Sequence, residues 1–248
     1  MQGTNGKNRD MRTVLITGAG RGLGRELAIA LAKLNYSLIL VSRSQEFLDE
    51  THHYCVSLVP TKSIVMDLRD EAQIVNLGLI LKETPIYLHA VINNAGMGEW
   101  SPIEKLSRES WDCQIETNLR GPFLVIRETL PFFKQQRQGL YVNVGSDCSL
   151  VGMPERGAYN ASKYGLVGLT TSLRAELTGS QIHASLVFLG KTDTFFRNRK
   201  PGDRPGSLKP QDVAEAIAFV VDLYPRVVIE EISMIPPGGA LVGVRSLI

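Results

Sequence analysis

The sequence predicts an α/β fold, with a doubly wound parallel sheet of seven strands in one domain and helices on both faces. Three observations carry this prediction. Short apolar, β-branched runs alternate with amphipathic stretches, a glycine-rich turn joins the first run to the first amphipathic stretch, and neither an internal repeat nor a linker interrupts the order. Strands that alternate with helices form parallel sheets, because each crossover returns the chain to the same edge.

The predicted elements follow one another regularly. Buried-strand patterns cover residues 13–17, 37–41, 63–66, 88–92, 140–144, 184–188 and 227–235. Helical periodicity covers residues 25–34, 71–82, 103–117, 121–136, 159–179 and 210–223. Residues 195–209 are rich in proline, glycine and basic side chains, which favours a long loop.

Composition narrows the classes of function. The chain has 248 residues, 44% of them hydrophobic and 21% charged, with a net charge of +2, so nothing indicates a nucleic-acid-binding protein. Cys55, Cys113 and Cys148 have the spacing of neither a disulfide framework nor a metal site, which favours a reducing compartment. No apolar run is long enough to span a bilayer. We interpret residues 1–10 as a disordered leader and expect a cytoplasmic protein without membrane attachment.

A glycine-rich turn follows the first predicted strand at once. Gly18, Gly22 and Gly24 lie between that strand and the first helix. Glycines permit a tight turn and a close approach of the backbone to a phosphate, and the free N–H groups at the start of the helix bind the anion. This context predicts a dinucleotide site.

The end of the second strand indicates which dinucleotide. Ser42-Arg43-Ser44 stands where NAD-binding proteins place a carboxylate, and no Asp or Glu lies between Glu26 and Glu46. A guanidinium and hydroxyl groups bind a 2′-phosphate that a carboxylate would repel. Arg21 could reach the same phosphate. The pattern favours NADP(H), and the alternative is that Arg43 is a solvated loop residue.

One helical turn separates Tyr159 from Lys163, so both side chains project from the same face. An ammonium beside a phenol favours phenolate, which predicts that Lys163 lowers the pKa of Tyr159 and prepares it for proton transfer near neutral pH. The alternative is a surface tyrosine beside a solvated lysine.

At the end of the fourth strand, Asn93-Asn94-Ala95-Gly96 suits either a turn against a flat ligand or an ordinary turn.

Taken together and in order, these motifs resemble those of the short-chain dehydrogenase/reductase family over about residues 11–240. The motifs are Thr17-Gly18-x-x-x-Gly22-x-Gly24, Asn93-Asn94-Ala95-Gly96, Asn118, Ser146, and Tyr159-x-x-x-Lys163, with Ser146 thirteen residues before Tyr159. The chain is most similar to 3-oxoacyl-acyl-carrier-protein reductases and related NADP-dependent carbonyl reductases. The resemblance implies a single Rossmann-like, NADP-binding catalytic domain over residues 11–248.

The resemblance also implies roles for individual residues. Tyr159 would protonate the developing alkoxide, Lys163 would assist it and bind the nicotinamide ribose, and Ser146 would donate to the substrate oxygen. Asn118 would support a water that resupplies protons. The implied cofactor contacts are Gly18, Arg21, Gly22, Leu23, Gly24, Ser42, Arg43, Asp67, Leu68, Asn94, Ala95, Gly96, Tyr159, Lys163, Thr192 and Thr194. The sequence departs from the family at Leu189-Gly190, where Pro-Gly is usual, so this turn is expected to be less constrained.

The substrate side is less defined by sequence. Candidate lining residues, which could equally be ordinary packing, are Met97, Cys148, Met153, Phe195 and Phe196. The basic loop could bind an acidic carbonyl substrate, such as an acyl-carrier- or CoA-linked one, or could be merely solvated.

The resemblance implies a homodimer or homotetramer through helices 103–117 and 121–136. Two alternative functions are a catalytically silent NADP(H)-sensing protein that binds a partner, and a sugar-nucleotide epimerase. The three-residue gap between Gly18 and Gly22 disfavours the epimerase.

Overall fold

The computed structural model describes residues 12–197 and 199–238, and its centre is one parallel sheet. The order across the sheet is β3-β2-β1-β4-β5-β6-β7, and every neighbouring pair is parallel. The strands are β1 (Arg12–Thr17), β2 (Ser37–Ser42), β3 (Thr61–Val65), β4 (Tyr87–Asn93), β5 (Gly139–Val144), β6 (Ile182–Leu189) and β7 (Glu231–Met234). The predicted seven-stranded, doubly wound sheet is therefore confirmed.

Helices cover both faces of the sheet. They are α1 (Leu23–Lys33), α2 (Gln45–Val56), α3 (Glu71–Glu83), α4 (Arg108–Ile115), α5 (Gly121–Gln136), α6 (Gly157–Glu176) and α7 (Pro210–Leu223). Side chains alternate along β1, so that Val14 and Ile16 pack with α1 and α7 in one apolar cluster, whereas Leu15 packs with α3 and α5 in the other. Strands β1, β2, β4, β5 and β6 are buried on both faces, which explains their continuous apolar sequences, whereas the edge strands β3 and β7 are partly exposed.

The order of the strands places a crevice at the carboxyl end of β1. The chain leaves β1 towards β2 on one side, and β4 lies on the other side, so the following loops diverge there. Asn94 holds the two loops at a fixed distance, because its side-chain amide donates to the carbonyl of Thr17 over 2.9 Å. The backbone N–H groups of Asn94 and Ala95 both donate to the Thr17 hydroxyl over 3.1 Å.

The structure differs from the predicted elements in three places. Helix α2 was absent from the prediction, because only Leu48, Thr51 and Cys55 of its residues are buried and its apolar face is narrow. The helix predicted over residues 103–117 begins at Arg108, where the Ser107 hydroxyl caps it. The last strand is shorter than residues 227–235, since only β7 pairs along β6.

Two remaining predictions concern sequence ends and membranes. The predicted leader, residues 1–10, lies outside the described residues. Within residues 12–197 and 199–238, no helix combines the length and the apolar character needed to cross a bilayer.

Candidate active site

Closely packed glycines shape the turn after β1. Gly18 has φ 69°, and a Cβ there would lie 2.8 Å from the Cα of Ala95. A Cβ at Gly24 would lie 2.0 Å from the carbonyl oxygen of Gly18, so the turn closes tightly onto α1. Gly22, with φ 57°, precedes the first residue of α1. A ligand in the crevice can therefore approach the backbone at the glycines before α1 closely, as an anion-binding site requires.

A cleft of about 810 Å³ begins at this turn, and we call it the glycine cleft. It brings together most of the cofactor contacts that the sequence predicts. Those that line it are Gly18, Arg21, Gly22, Leu23, Gly24, Ser42, Arg43, Asp67, Leu68, Asn94, Ala95, Gly96 and Thr194. The cleft is therefore continuous from the end of β2, across β1, to the loop after β6.

The end of the glycine cleft beside β2 is basic. Arg21 lies between two aromatic rings, with its guanidinium carbon 5.1 Å from the centroid of Phe47 and 5.4 Å from that of Phe195. Arg43 forms no ion pair within 4 Å among the described residues. The nearby Asp67 is already paired with Arg69 at 2.6 Å, and this hydrogen bond holds the pKa of the carboxyl below its usual value. Arg43 is therefore available to an anion in the cleft.

A second cavity, of about 460 Å³, adjoins the glycine cleft and shares Asn94, Gly96 and Thr194 with it. We call it the Tyr159 pocket. Ser146, Tyr159, Lys163 and Thr192, all predicted from sequence, line it. Ser146 follows β5, and Tyr159 and Lys163 come from the first two turns of α6, so two separate elements meet at this pocket.

Lys163 is almost completely buried, with 4% of its surface exposed. Its ammonium donates to the carbonyl oxygen of Val144 over 2.7 Å and lies 5.9 Å from the centroid of the Tyr159 ring. Gly96 leaves room for it, since a Cβ there would lie 3.7 Å from Nζ. Burial lowers the pKa of Lys163 to about 8. The lysine is therefore a charge that titrates close to physiological pH.

The predicted lowering of the Tyr159 pKa is wrong. The side chain is buried, and burial raises the pKa of the phenol strongly, while a hydrogen bond with Ser146 offsets the rise only in part. Lys163 does not reverse this effect, because the removal of water from the phenolate is the largest cause of the shift and the neighbouring Asp147 adds to it. Tyr159 is therefore a protonated phenol throughout the neutral range.

Ser146 has a competing acceptor beside it. Its hydroxyl donates to Oδ1 of Asp147 over 2.7 Å and accepts from the backbone N–H of Cys148 over 3.2 Å. A hydroxyl has a single proton to donate, so the bond to Asp147 occupies it. Asp147 also lines the Tyr159 pocket and was not predicted from the sequence.

Asn118 lies beneath the site rather than in it. It belongs to a π-helical turn, Glu116–Arg120, that joins α4 to α5. Its side chain accepts from the N–H of Met97 and donates to the carbonyl of Met97, both over 2.8 Å, and donates to the Ser162 hydroxyl over 3.1 Å. Asn118 is 1% exposed and lines neither cavity, so it fixes the loop after β4 against α6.

The loop after β6 reaches back over the glycine turn. A Cβ at Gly22 would lie 3.4 Å from Cβ of Thr194. The expected looseness of the Leu189-Gly190 turn is not observed. Leu189 is the last residue of β6 and pairs with Met234, and the N–H of Gly190 donates to the carbonyl of Met234 over 2.8 Å. Leucine retains the N–H that proline lacks, so the ladder can extend to the turn.

The predicted substrate-side residues are distributed unevenly. Met97 and Phe195 line the glycine cleft, Met153 lines the Tyr159 pocket, Phe196 lines both, and Cys148 is buried and lines neither. Sequence reasoning missed two aromatic and basic contacts here. The ring of Trp100 lies 5.0 Å from that of Tyr159, and Arg156 lines the same pocket. Trp100 lies four residues beyond the Asn-Asn-Ala-Gly turn, and that proximity was the available signal.

A glycine turn at the crevice of a doubly wound sheet, next to a pocket holding Tyr159, Lys163 and Ser146, is the arrangement of an oxidoreductase that uses a dinucleotide. The chain belongs to the short-chain dehydrogenase family, since the model described as "short chain dehydrogenase" matches residues 12–204.

Relatives and solved structures agree with this assignment. The chain is 30% identical to 2,3-dihydro-2,3-dihydroxybenzoate dehydrogenase of Escherichia coli, over 94% of this chain and 98% of that protein. It is 30% identical to a 3-oxoacyl-acyl-carrier-protein reductase of Thermotoga maritima, over 84% of this chain and 89% of that protein. An alcohol dehydrogenase from the archaeon Thermococcus sibiricus, complexed with 5-hydroxy-NADP, shares the fold with a TM-score of 0.87 and 28% identity, over 93% of this chain and 98% of that one.

Proposed function

We propose that this protein is an NADP(H)-dependent oxidoreductase that interconverts a carbonyl group and a secondary alcohol, and that ketone reduction is its main reaction. The observation that carries the proposal is the meeting of Ser146, Tyr159 and Lys163 in a pocket that opens into the glycine cleft. The alcohol dehydrogenase and ketoreductase among the structural neighbours support the reaction class.

The glycine cleft has the features that a dinucleotide requires. The closed turn at Gly18 and Gly24 leaves backbone N–H groups for a pyrophosphate, and Ser42 and Arg43 supply a hydroxyl and an unpaired guanidinium for a 2′-phosphate. Four structural neighbours are described as complexes with NADP or NADPH, which supports the same cofactor here. The bound cofactor would supply the hydride.

The chain itself handles the proton. Because burial keeps Tyr159 protonated at neutral pH, its phenol can donate a proton to an oxygen that gains negative charge. Lys163, a cation below pH about 8, stabilises the phenolate that remains. The Ser146 hydroxyl lines the same pocket as the phenol, so it would orient the substrate oxygen towards Tyr159 once its proton leaves Asp147.

Asn118 is proposed as a positioning residue. Its three hydrogen bonds hold Met97 against Ser162, which lies one residue before Lys163. The implied role in proton resupply through a water stays a prediction.

We also propose a homo-oligomer formed through α4 and α5. Trp111 is 38% exposed and Phe123 is 44% exposed, whereas Ile126, also on α5, is buried in the core. Two exposed aromatic side chains on adjoining helices favour an interface. Light scattering at micromolar concentration should report at least a dimer, and a monomer would contradict this part of the proposal.

The decisive experiment for the function uses a panel of neutral ketones, aldehydes and keto acids with NADPH. We expect loss of NADPH absorbance with at least one class of carbonyl compound and a corresponding gain of alcohol. Tight NADPH binding without turnover on any member of the panel would instead support a catalytically silent, NADP(H)-sensing protein.

A further inference from the structure

The Tyr159 pocket carries an excess of positive charge that the described chain does not neutralise. Six cationic side chains and two carboxylates line it. The cations are Lys163, Arg156, Lys191, Arg197, Arg199 and Arg204, and the carboxylates are Asp147 and Asp203. None of these eight residues forms an ion pair within 4 Å in residues 12–197 and 199–238. A neutral substrate would give such a pocket no electrostatic advantage.

Two of the cations are held at the reacting group by one aromatic ring. The guanidinium carbon of Arg156 lies 4.9 Å from the centroid of Trp100, and that of Arg197 lies 4.5 Å from it. The same indole ring packs at 5.0 Å on the ring of Tyr159. The width of one indole therefore separates the proposed proton donor from two guanidinium groups. Cation–π contacts orient the guanidinium groups and leave their charge unneutralised.

The remaining contacts of Arg156 are weak acceptors. One of its amino groups lies 3.1 Å from Sγ of Cys148 and 2.8 Å from Sδ of Met153. Burial raises the pKa of Cys148, so its sulfur is a neutral thiol. Thiol and thioether sulfurs are poor hydrogen-bond acceptors, and a guanidinium has five N–H groups to satisfy. Arg156 lines only the Tyr159 pocket, so its free donors face the substrate side rather than the glycine cleft.

Arg197 has an unfavourable backbone conformation and lies close to other positive charges. Its φ of 63° is in the left-handed region, which a long side chain rarely adopts. Partial desolvation, together with the neighbouring Arg199, Arg204 and Arg156, holds the pKa of Arg197 below its usual value, and Glu155 offsets this only in part. Like charges that crowd one pocket are relieved when an anion binds among them.

The carboxylates of the pocket are already used. Asp147 accepts from the Ser146 hydroxyl and from the N–H of Cys148 over 2.8 Å, and Asp203 accepts from the N–H of Lys200 over 2.8 Å. Neither is therefore a sufficient counter-charge for the pair of arginines on Trp100.

We infer that the Tyr159 pocket binds a carbonyl substrate bearing an anionic group, a carboxylate or a phosphate, and that Arg156 and Arg197, which both contact Trp100, recognise this group. The inference rests on the proposed carbonyl chemistry and names its substrate class. The short distance from Trp100 to Tyr159 places the anion a few bonds from the carbonyl carbon. Guanidinium groups suit both anions because they bind their oxygens through paired N–H groups.

The test compares carbonyl substrates with and without an anionic group. Levulinate and methyl levulinate form one pair, and dihydroxyacetone phosphate and dihydroxyacetone form the other, each with saturating NADPH. We expect kcat/KM to be at least about tenfold higher for the anion in one of the pairs, and that pair identifies carboxylate or phosphate. Arg156→Gln and Arg197→Gln should each bring this anion-to-neutral ratio close to one.

Arg226→Gln is the matched control, because Arg226 is exposed, precedes β7 and lies at the opposite end of the sheet. It removes the same charge and should leave the ratio unchanged. A ratio near one for both pairs in the unmodified protein would overturn the inference while leaving the proposed reaction intact. An unchanged ratio in Arg156→Gln and Arg197→Gln would show that the arginines only hold the loop.

A binding measurement decides the case in which none of the four compounds is reduced. The chain has two tryptophans, so Trp111→Phe leaves Trp100 as the fluorophore. Levulinate or inorganic phosphate should change the Trp100 fluorescence saturably, and Arg156→Gln should abolish the change. Methyl levulinate should have no such effect. A saturable signal without turnover would count against the reaction only, and the absence of any signal would overturn the anion site.

Discussion

Replacement of Lys163 by methionine should make the protein more stable at neutral pH while it destroys activity. Burial displaces the pKa of Lys163 from 10.5 to about 8. The buried charge therefore lowers the free energy of unfolding by about 3 kcal/mol. Lys163→Met removes this cost but also the bond to the Val144 carbonyl, which offsets about 1 kcal/mol. The net gain at pH 7 should therefore be about 2 kcal/mol.

The sign of the pH dependence gives a sharper test. The pKa of Lys163 is lower in the folded state, so the penalty is complete below pH about 8 and disappears as the pH rises to about 10.5. The wild-type protein should gain stability over this window relative to Lys163→Met. Urea unfolding of both proteins at pH 7 and at pH 10 measures the change, and other titrating groups cancel in the difference. Lys82→Met, at an exposed position of α3, should show no such dependence. A difference between wild type and Lys163→Met that is the same at both pH values would refute the buried charge.

Three further predictions test the site. Arg43→Ala should raise KM for NADPH by about 10- to 100-fold and leave KM for NADH nearly unchanged, because a charge-assisted bond to the 2′-phosphate is lost; equal changes would place that phosphate elsewhere. Asp147→Ala should raise kcat for ketone reduction about two- to tenfold by freeing the Ser146 proton for the substrate oxygen, and a fall in kcat would show that the carboxylate assists catalysis. Gly24→Ala should destabilise the fold by about 2–3 kcal/mol and weaken NADPH binding, since its methyl group would clash with the Gly18 carbonyl. Thermal unfolding measures the first effect and fluorescence titration the second, and unaltered values in both would contradict the closed turn.

The sheet and the glycine turn were predictable because their signals are local. A strand buried on both faces has an uninterrupted apolar sequence, and the turn residues Gly18 and Gly24 are glycines for reasons of backbone space alone. Helix α2 was not predictable, since its buried face consists of only Leu48, Thr51 and Cys55 among polar neighbours. The shortened β7 depends on pairing with β6, which the sequence of one strand does not contain.

The residues of the site were predictable from the sequence, but their pKa shifts were not. One helical turn brings Tyr159 and Lys163 to one face, so their proximity follows from spacing. How far burial shifts each pKa depends on the elements that cover them, and that depth reversed the expected shift of Tyr159. The contacts of Trp100 with Arg156 and Arg197 join three segments that are distant in sequence, so no local sequence pattern predicts them.

Tyr159→Phe gives the most direct measurement of the central claim, that a buried phenol donates the proton next to the bound dinucleotide. NADPH binding, followed by fluorescence, should remain within about twofold of the wild-type value, because the ring and its packing on Trp100 are retained. Turnover of the best carbonyl substrate should fall by about 100-fold or more. Turnover close to the wild-type rate, with binding intact, would contradict the account.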